Sequence, residues 1–345
     1  MLLRIFSYRN KRVMKRIGVA VLIAAALLLA LIVFRVLYLD RFIRYKDGSA
    51  TLDYEQKLNP SGTLTPQLEP ADFPFETILA PDESEAETAS ALARLSGYYV
   101  STNMLAKRLD EVEQLLLSDL EYNAVVIDVK SVYGNFYYSS KLTGAQLATA
   151  DISAIDKLIA KLCAKQDVTV IARVPAFSDP NYALAHQSQG LPLYSGALWT
   201  DENGCYWMNP YSNDVQGWLT SIALELEGLG FDEVLFDQFV FPDSDRISWT
   251  NTDVTKQEAV VDAASNISAN LSGSGILPCF GTDNAQIAAL AHRIFVTSED
   301  ASDAARLTEE LKDEIVDPTR QIVFFTDSRD TRFQKCGVIH SLLED

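Results

Sequence analysis

Three apolar runs in this 345-residue chain end on ionisable residues, and those positions are where chemistry is first sought. Val125-Val126-Ile127 leads into Asp128-Val129-Lys130, Val170-Ile171-Ala172 into Arg173, and Val234-Leu235-Phe236 into Asp237. A lone carboxylate at the end of a buried strand is costly to desolvate, so these acids and bases should face one another or solvent. Carboxylates gathered in this way can serve as nucleophile, base or acid. The same set would also make an ion-pair network that only closes the end of the fold.

Aromatic and amide groups accompany them. The segment 198–211 carries Trp199, Tyr206, Trp207, Asn209 and Tyr211, with Asn203-Gly204 marking a turn between two short extended arms. Tyr133, Phe136, Tyr137 and Tyr138 follow Lys130. Flat rings beside hydrogen-bonding side chains suit sugars, whose C–H faces pack on aromatics while their hydroxyls need donors and acceptors. Rings packed on one another would instead form a loop core.

The elements that must position these groups alternate short apolar runs with amphipathic stretches, the pattern of strand–helix units around a parallel sheet. Strands are expected at 97–100, 124–129, 168–174, 233–237, 275–280, 293–296 and 321–326. Helices are expected at 104–121, 155–164, 214–229, 256–271, 284–290 and 301–315. Seven or eight units in about 240 residues suit a (β/α)8 barrel of the TIM type, whose active residues lie at the carboxyl ends of the strands. A doubly wound open sheet is the alternative, but Ser101-Thr102-Asn103 after the first strand is no glycine-rich phosphate cradle. No strand pattern stands out after Thr326, which leaves open whether residues 327–345 complete the barrel or cap it.

Charge divides the chain. Residues 1–46 hold ten Lys/Arg against the single acid Asp40, a net +9, so the remaining 299 residues hold −27. That acidity argues against nucleic acid as a partner, because phosphate recognition needs a basic face. From Ile17 to Phe34, 18 consecutive residues carry no charge. As a helix they would span roughly 27 Å of a hydrocarbon layer about 30 Å thick. The chain is therefore expected to begin with a cytoplasmic basic segment (1–16) and a transmembrane signal-anchor helix (17–39). An acidic, proline-containing linker (40–95) and an extracytoplasmic barrel domain (96–345) follow. The lipid bilayer is then one partner. The linker is read as an extended spacer, with a strap formed by Phe73-Pro74-Phe75 as the alternative.

Several of these strings, in matching order over residues 97–245, resemble a bacterial family of glycoside-hydrolase-like domains. They are 123–130 around Asp128, Val170-Ile171-Ala172-Arg173, Phe177-Ser178-Asp179-Pro180, 199–211, and 230–242 around Phe236-Asp237-Gln238-Phe239. The resemblance implies a glycosidase-type barrel acting on cell-envelope or environmental polysaccharide without a cofactor. Such hydrolysis needs two carboxyl groups across the scissile bond. On this resemblance Asp237 is the ionised nucleophile or base and Asp128 the first choice for its partner, with Glu299, Asp300 and Asp327 as substitutes. Arg173 and Lys130 beside them favour a nucleophile or base over an acid. Lys130, Arg173, Trp199, Trp207, Asn209, Tyr211 and Gln238 are the candidate substrate contacts. Two positions depart from the family pattern: Val240 stands where an Arg is usual, and Pro278 where an Asp precedes the Phe-Gly pair. These departures keep a second reading open, a catalytically silent barrel that binds glycan or an envelope protein.

Other chemistries lack their residues. His186, His292 and His340 are far apart without metal-ligand spacing, and no Gly-x-Ser-x-Gly elbow occurs. Cys163, Cys205, Cys279 and Cys336 show no paired spacing and are expected to be mostly free thiols.

Overall fold

A computed structural model of the chain describes residues 43–46, 49–52, 92–118, 121–251 and 253–343. The chain divides into two units, Met1–Ile78 and Leu79–Asp345. In the first, Ile43–Lys46 and Ser49–Leu52 pair as a short antiparallel hairpin inside the stretch read as a linker. The predicted membrane span at 17–39 and the Phe73-Pro74-Phe75 strap lie outside the described residues. Among those that are described, no helix is long and apolar enough to cross a membrane.

The second unit is a closed barrel of eight parallel strands in sequential order. They are β1 (Ser96–Val100), β2 (Ala124–Asp128), β3 (Thr169–Pro175), β4 (Glu233–Asp237), β5 (Leu277–Gly281), β6 (Ile294–Thr297), β7 (Ile322–Phe325) and β8 (Gly337–Ser341). Seven coincide with the strands expected from sequence. The eighth completes the ring: Val338 and Ile339 of β8 stand beside Phe324 and Phe325 of β7, and Ile339 and His340 beside Gly97 and Tyr98 of β1. Residues 327–345 therefore close the barrel, and the expectation of seven strands is corrected to eight.

Strand alternation sorts the side chains. Ala124, Val126, Ile171, Leu235, Cys279, Phe295, Val323 and Ile339 share one buried cluster inside the barrel. The residues between them, such as Val125, Ile127, Val170 and Val234, join the larger core beneath the helices. Asp128, Arg173 and Asp237 each lie two residues beyond an interior residue, so each inherits the inward direction at the carboxyl end of its strand. Gly97 is what lets β1 approach β2, since a β-carbon there would come within 1.8 Å of the Ala124 carbonyl oxygen.

The helices cover the outside. The single helix expected at 104–121 is two, α1 (Thr102–Lys107) and α2 (Leu109–Leu116), because Arg108 leaves the helical region at φ −133°. Then come α3 (Ile152–Cys163), α4 (Pro180–Ala185), α5 (Asn213–Gly228) and α6 (Lys256–Leu271). The start of α6 is fixed by a capping box, the Thr255 side chain accepting from the Glu258 backbone and the Glu258 side chain from that of Thr255. Shorter helices α7 (Ala285–Ala288), α8 (Ser302–Leu311) and α9 (Pro318–Gln321) finish the set.

Candidate active site

At the carboxyl ends of β2, β3 and β4 one guanidinium joins two carboxylates. Arg173 donates from Nη1 to Asp128 Oδ1 at 2.7 Å and from Nη2 to Asp237 Oδ2. The strand register sets this up, because Arg173 stands directly beside Asp128 and its neighbour strand ends on Asp237. Three of the sequence-predicted site residues thus meet, as inward parity at three adjacent strand ends requires.

A fourth member was not expected. Tyr99, on β1, donates its hydroxyl proton to Asp128 Oδ2 at 2.6 Å and accepts from Arg173 Nη1 at 3.0 Å. Both oxygens of Asp128 are therefore taken. Asp237 differs: its Oδ1 has no hydrogen-bond partner among the described residues and faces Gly281 across the barrel. The guanidinium also lies over the rings of Tyr99 and Phe325, 5.3 and 5.9 Å from their centroids, which adds cation–π attraction.

The electrostatics follow from burial and pairing. Burial pushes the Asp128 carboxyl above the ordinary carboxylate range, against the opposing pull of Arg173 and the hydrogen bond from Tyr99. Burial likewise raises the Tyr99 phenol, and the neighbouring Asp128 charge adds to it. For Arg173 burial works against the charge, but Asp128 and Asp237 outweigh it and the guanidinium is held protonated more firmly than usual.

Beside this cluster, over the ends of β6, β7, β8 and β1, opens a cleft of about 790 Å³. Tyr98, Tyr99, Phe325 and His340 form part of its wall, and Glu299 and Asp327 bring exposed carboxylates to it. Glu299 Oε1 accepts from the Asp327 backbone and Asp327 Oδ1 from that of Ser341, so each acid is oriented while keeping one oxygen for a ligand. Asp300 is used otherwise: its Oδ1 accepts from the backbone and hydroxyl of Ser302.

The remaining predicted residues lie elsewhere. Lys130 turns away from Asp128 into a buried ion pair with Asp179 at 3.1 Å, both side chains at most 1% exposed. Trp199 and Trp207 pack edge to face at 6.1 Å and are each only 8% exposed, with Trp207 Nε1 donating to Asp201, so they form a loop core. Asn209 accepts from the backbone of Tyr211, whose ring stays exposed beside Trp249. Gln238 is exposed and is the one described non-glycine residue with positive φ, +52°, immediately after Asp237. Pro278 alternates with Leu277 and Cys279 and so lies off the interior face, well below the rim. Its presence takes no carboxylate from the mouth. Among the described residues no group of three or more His, Cys, Asp or Glu is arranged to hold a metal ion.

Comparison with known proteins adds identity to this geometry. Residues 97–276, just over half of the chain, match the model of a family described as "Putative glycosyl hydrolase domain". The chain belongs to this family. The matched span contains Asp128, Arg173 and Asp237, whereas Glu299 and Asp327 lie beyond it. Among solved structures, a GH20 exo-β-N-acetylglucosaminidase from Vibrio harveyi shares the fold with a TM-score of 0.51 and 10% identity. That match covers 68% of this chain and 41% of the Vibrio chain. A hypothetical protein from Ruminiclostridium thermocellum is 24% identical over 52% of this chain and 96% of its own, with a TM-score of 0.45. Aspergillus fumigatus Ega3, solved with galactosamine, is 13% identical over 73% of this chain and 92% of its own, also at 0.45. No curated protein matches the chain.

Proposed function

We propose that this member of the family is a glycoside hydrolase whose reacting carboxylate is Asp237, acting on a glycan seated in the cleft over β6, β7, β8 and β1. The observation that carries this is the asymmetry of the two carboxylates on Arg173: Asp128 has both oxygens engaged, whereas Asp237 presents a free oxygen at the rim. Asp128 then anchors the guanidinium, and Asp237 is the nucleophile or the base for water. The leaving group takes its proton from a cleft acid, Glu299 or Asp327, each oriented by a backbone amide. Envelope or environmental polysaccharide fits as the substrate if the apolar run Ile17–Phe34 anchors the chain in a bilayer with the barrel on the extracytoplasmic side.

One observation favours the silent glycan-binding barrel instead. The Arg173 guanidinium fills the space between Asp128 and Asp237, where a hydrolase using that pair would hold the scissile bond. Purified full-length chain, incubated with polysaccharides and nitrophenyl glycosides, distinguishes the two. Cleavage that falls ~10³-fold or more in Asp237→Asn supports hydrolysis. Binding without cleavage supports the silent barrel, and cleavage unaffected by Asp237→Asn removes Asp237 from the chemistry. Fractionation tests the anchor: the full chain should sediment with membranes and a 96–345 fragment should not.

A further inference from the structure

Tyr99 occupies a position that neither the family match nor the carboxylate chemistry accounts for. It is the penultimate residue of β1, on the inward face with Gly97, and stands beside Val126 in register, so its ring rises along the interior toward the rim of β2. There its hydroxyl closes a ring of three hydrogen bonds. Tyr99 donates to Asp128, Arg173 Nη1 donates to Asp128, and the same nitrogen donates to Tyr99. A guanidinium Nη carries two protons, and both of those on Nη1 are spent in this ring. The pose of the whole planar group is then fixed, which directs Nη2 at Asp237.

The remaining nitrogen supports the same reading. Arg173 Nε is buried without a hydrogen-bond partner, so it contributes nothing to holding the group in place. The guanidinium is oriented from Nη1 at one end, by Tyr99 and Asp128, and from above and below by the rings of Tyr99 and Phe325. Of these, Tyr99 alone supplies both a hydrogen bond and a ring face. It also belongs to the cleft wall, so the group that orients Arg173 is one that a bound glycan would touch.

We propose that Tyr99 is a positioning residue for Asp237, acting through the Arg173 guanidinium and coupling occupancy of the cleft to the orientation of that carboxylate. This rests on the reading of Asp237 as the reacting group. Its phenol keeps its proton throughout the range in which the protein is folded, because burial and Asp128 both oppose ionisation, so the donor role toward Asp128 is constant.

The test is Tyr99→Phe in the full-length chain, which keeps the ring and removes the hydroxyl. Crystal structures of wild type and variant are expected to show Arg173 rotated off Asp237 in the variant; an Arg173–Asp237 contact unchanged in the variant overturns the proposal. This arm does not depend on hydrolysis, so it decides the role of Tyr99 even where the wild type cleaves nothing and the hydrolase reading fails. With a cleaved nitrophenyl glycoside, kcat is expected to fall about 10- to 100-fold with KM within about 3-fold, the signature of a mispositioned reacting group. A rise in KM alone overturns it in favour of a wall contact. Should the Phe variant not fold, Tyr99→His, which returns a ring and an N–H donor, is expected to retain the Arg173–Asp237 contact, and its loss there overturns the proposal.

Discussion

A β-carbon placed on Gly281 would stand 2.4 Å from Oδ1 of Asp237 and 3.0 Å from its Cα. The last residue of β5 is thus the floor on which the free carboxylate oxygen of β4 rests, and only hydrogen fits between them. Because one of the clashing atoms is backbone, rotation of a flexible side chain cannot relieve the contact.

Gly281→Ala should therefore displace Asp237 rather than merely crowd it. We expect a stability loss of about 1–3 kcal/mol, typical of overpacking a closed site, together with loss of any glycan turnover. Thermal denaturation and the glycoside panel measure the two effects. An alanine variant with native stability and activity would show that the rim of β4 tolerates movement.

The Lys130–Asp179 pair is buried on both sides, and Asp179 also accepts from the Tyr182 backbone and from Trp218 Nε1. Removing one charge leaves the other unpaired inside the protein. Lys130→Met is expected to cost about 3–5 kcal/mol in urea unfolding. Adding Asp179→Asn should restore part of it, because the amide oxygen still accepts from Tyr182 without a charge to desolvate. A single-variant loss under about 1 kcal/mol would contradict the burial argument.

At the opposite end of β4, Glu233 accepts from Arg293 Nε at 2.9 Å and lies near His292 and the Cys279 thiol. Burial alone would raise this carboxyl, but the His292 hydrogen bond and the Arg293 charge outweigh it and hold it below the ordinary Glu range. A carboxyl depressed in the folded state stabilises the fold above its unfolded pKa, about 4.3, and that contribution is lost as pH falls through the folded value. Melting temperatures measured downward from neutral pH should drop below about pH 4.3 in the wild type. Glu233→Gln should start lower and show a flatter acid limb; parallel curves would remove Glu233 from the acid response.

All four cysteines are free, three of them buried and Cys163 half-buried. Burial pushes the Cys163 thiol up to about 11, with Asp232 adding to the effect, and raises Cys205, Cys279 and Cys336 as well. The thiolate is the reactive form. An aromatic disulfide reagent at about pH 8 should label the native chain slowly, and Cys163 first. All four thiols should then appear on unfolding. Rapid native labelling of Cys205 or Cys279 would mean that the barrel opens more readily than its packing indicates.

The parts of this molecule legible in its sequence are those where one residue's neighbours constrain it strongly. Asp128, Arg173 and Asp237 end fully apolar runs, so strand alternation alone directs them inward at the same rim. β8 escaped because Gly337–Ser341 is preceded by a single helical turn at Phe333–Lys335 rather than by an amphipathic helix, leaving a short apolar pair without a flanking period. Tyr99 escaped because an aromatic in a strand reads as core; its hydroxyl matters only once β2 and β3 stand beside it. Its place one residue before the end of an inward-facing strand was the available signal. Lys130 misled for the converse reason. Alternation holds only while the strand lasts, and after Asp128 the chain turns so that Lys130 bridges to Phe136 and its side chain leaves the rim. The aromatic loop was correctly read as two arms around Asn203-Gly204, since Thr200 pairs with Tyr206, but its tryptophans spend their faces on each other.

The bond between Lys130 and Asp179 has an implication for engineering. It welds the segment after β2 to the segment after β3, and Gly134 lies so close that its missing side chain is what admits the Asp179 carboxylate. Neither segment is an independent module. A chimera that borrows one of them from a related barrel would strand a charge in its interior unless the other travels with it, so recombination between relatives should tolerate crossovers outside 130–179 far better than within it.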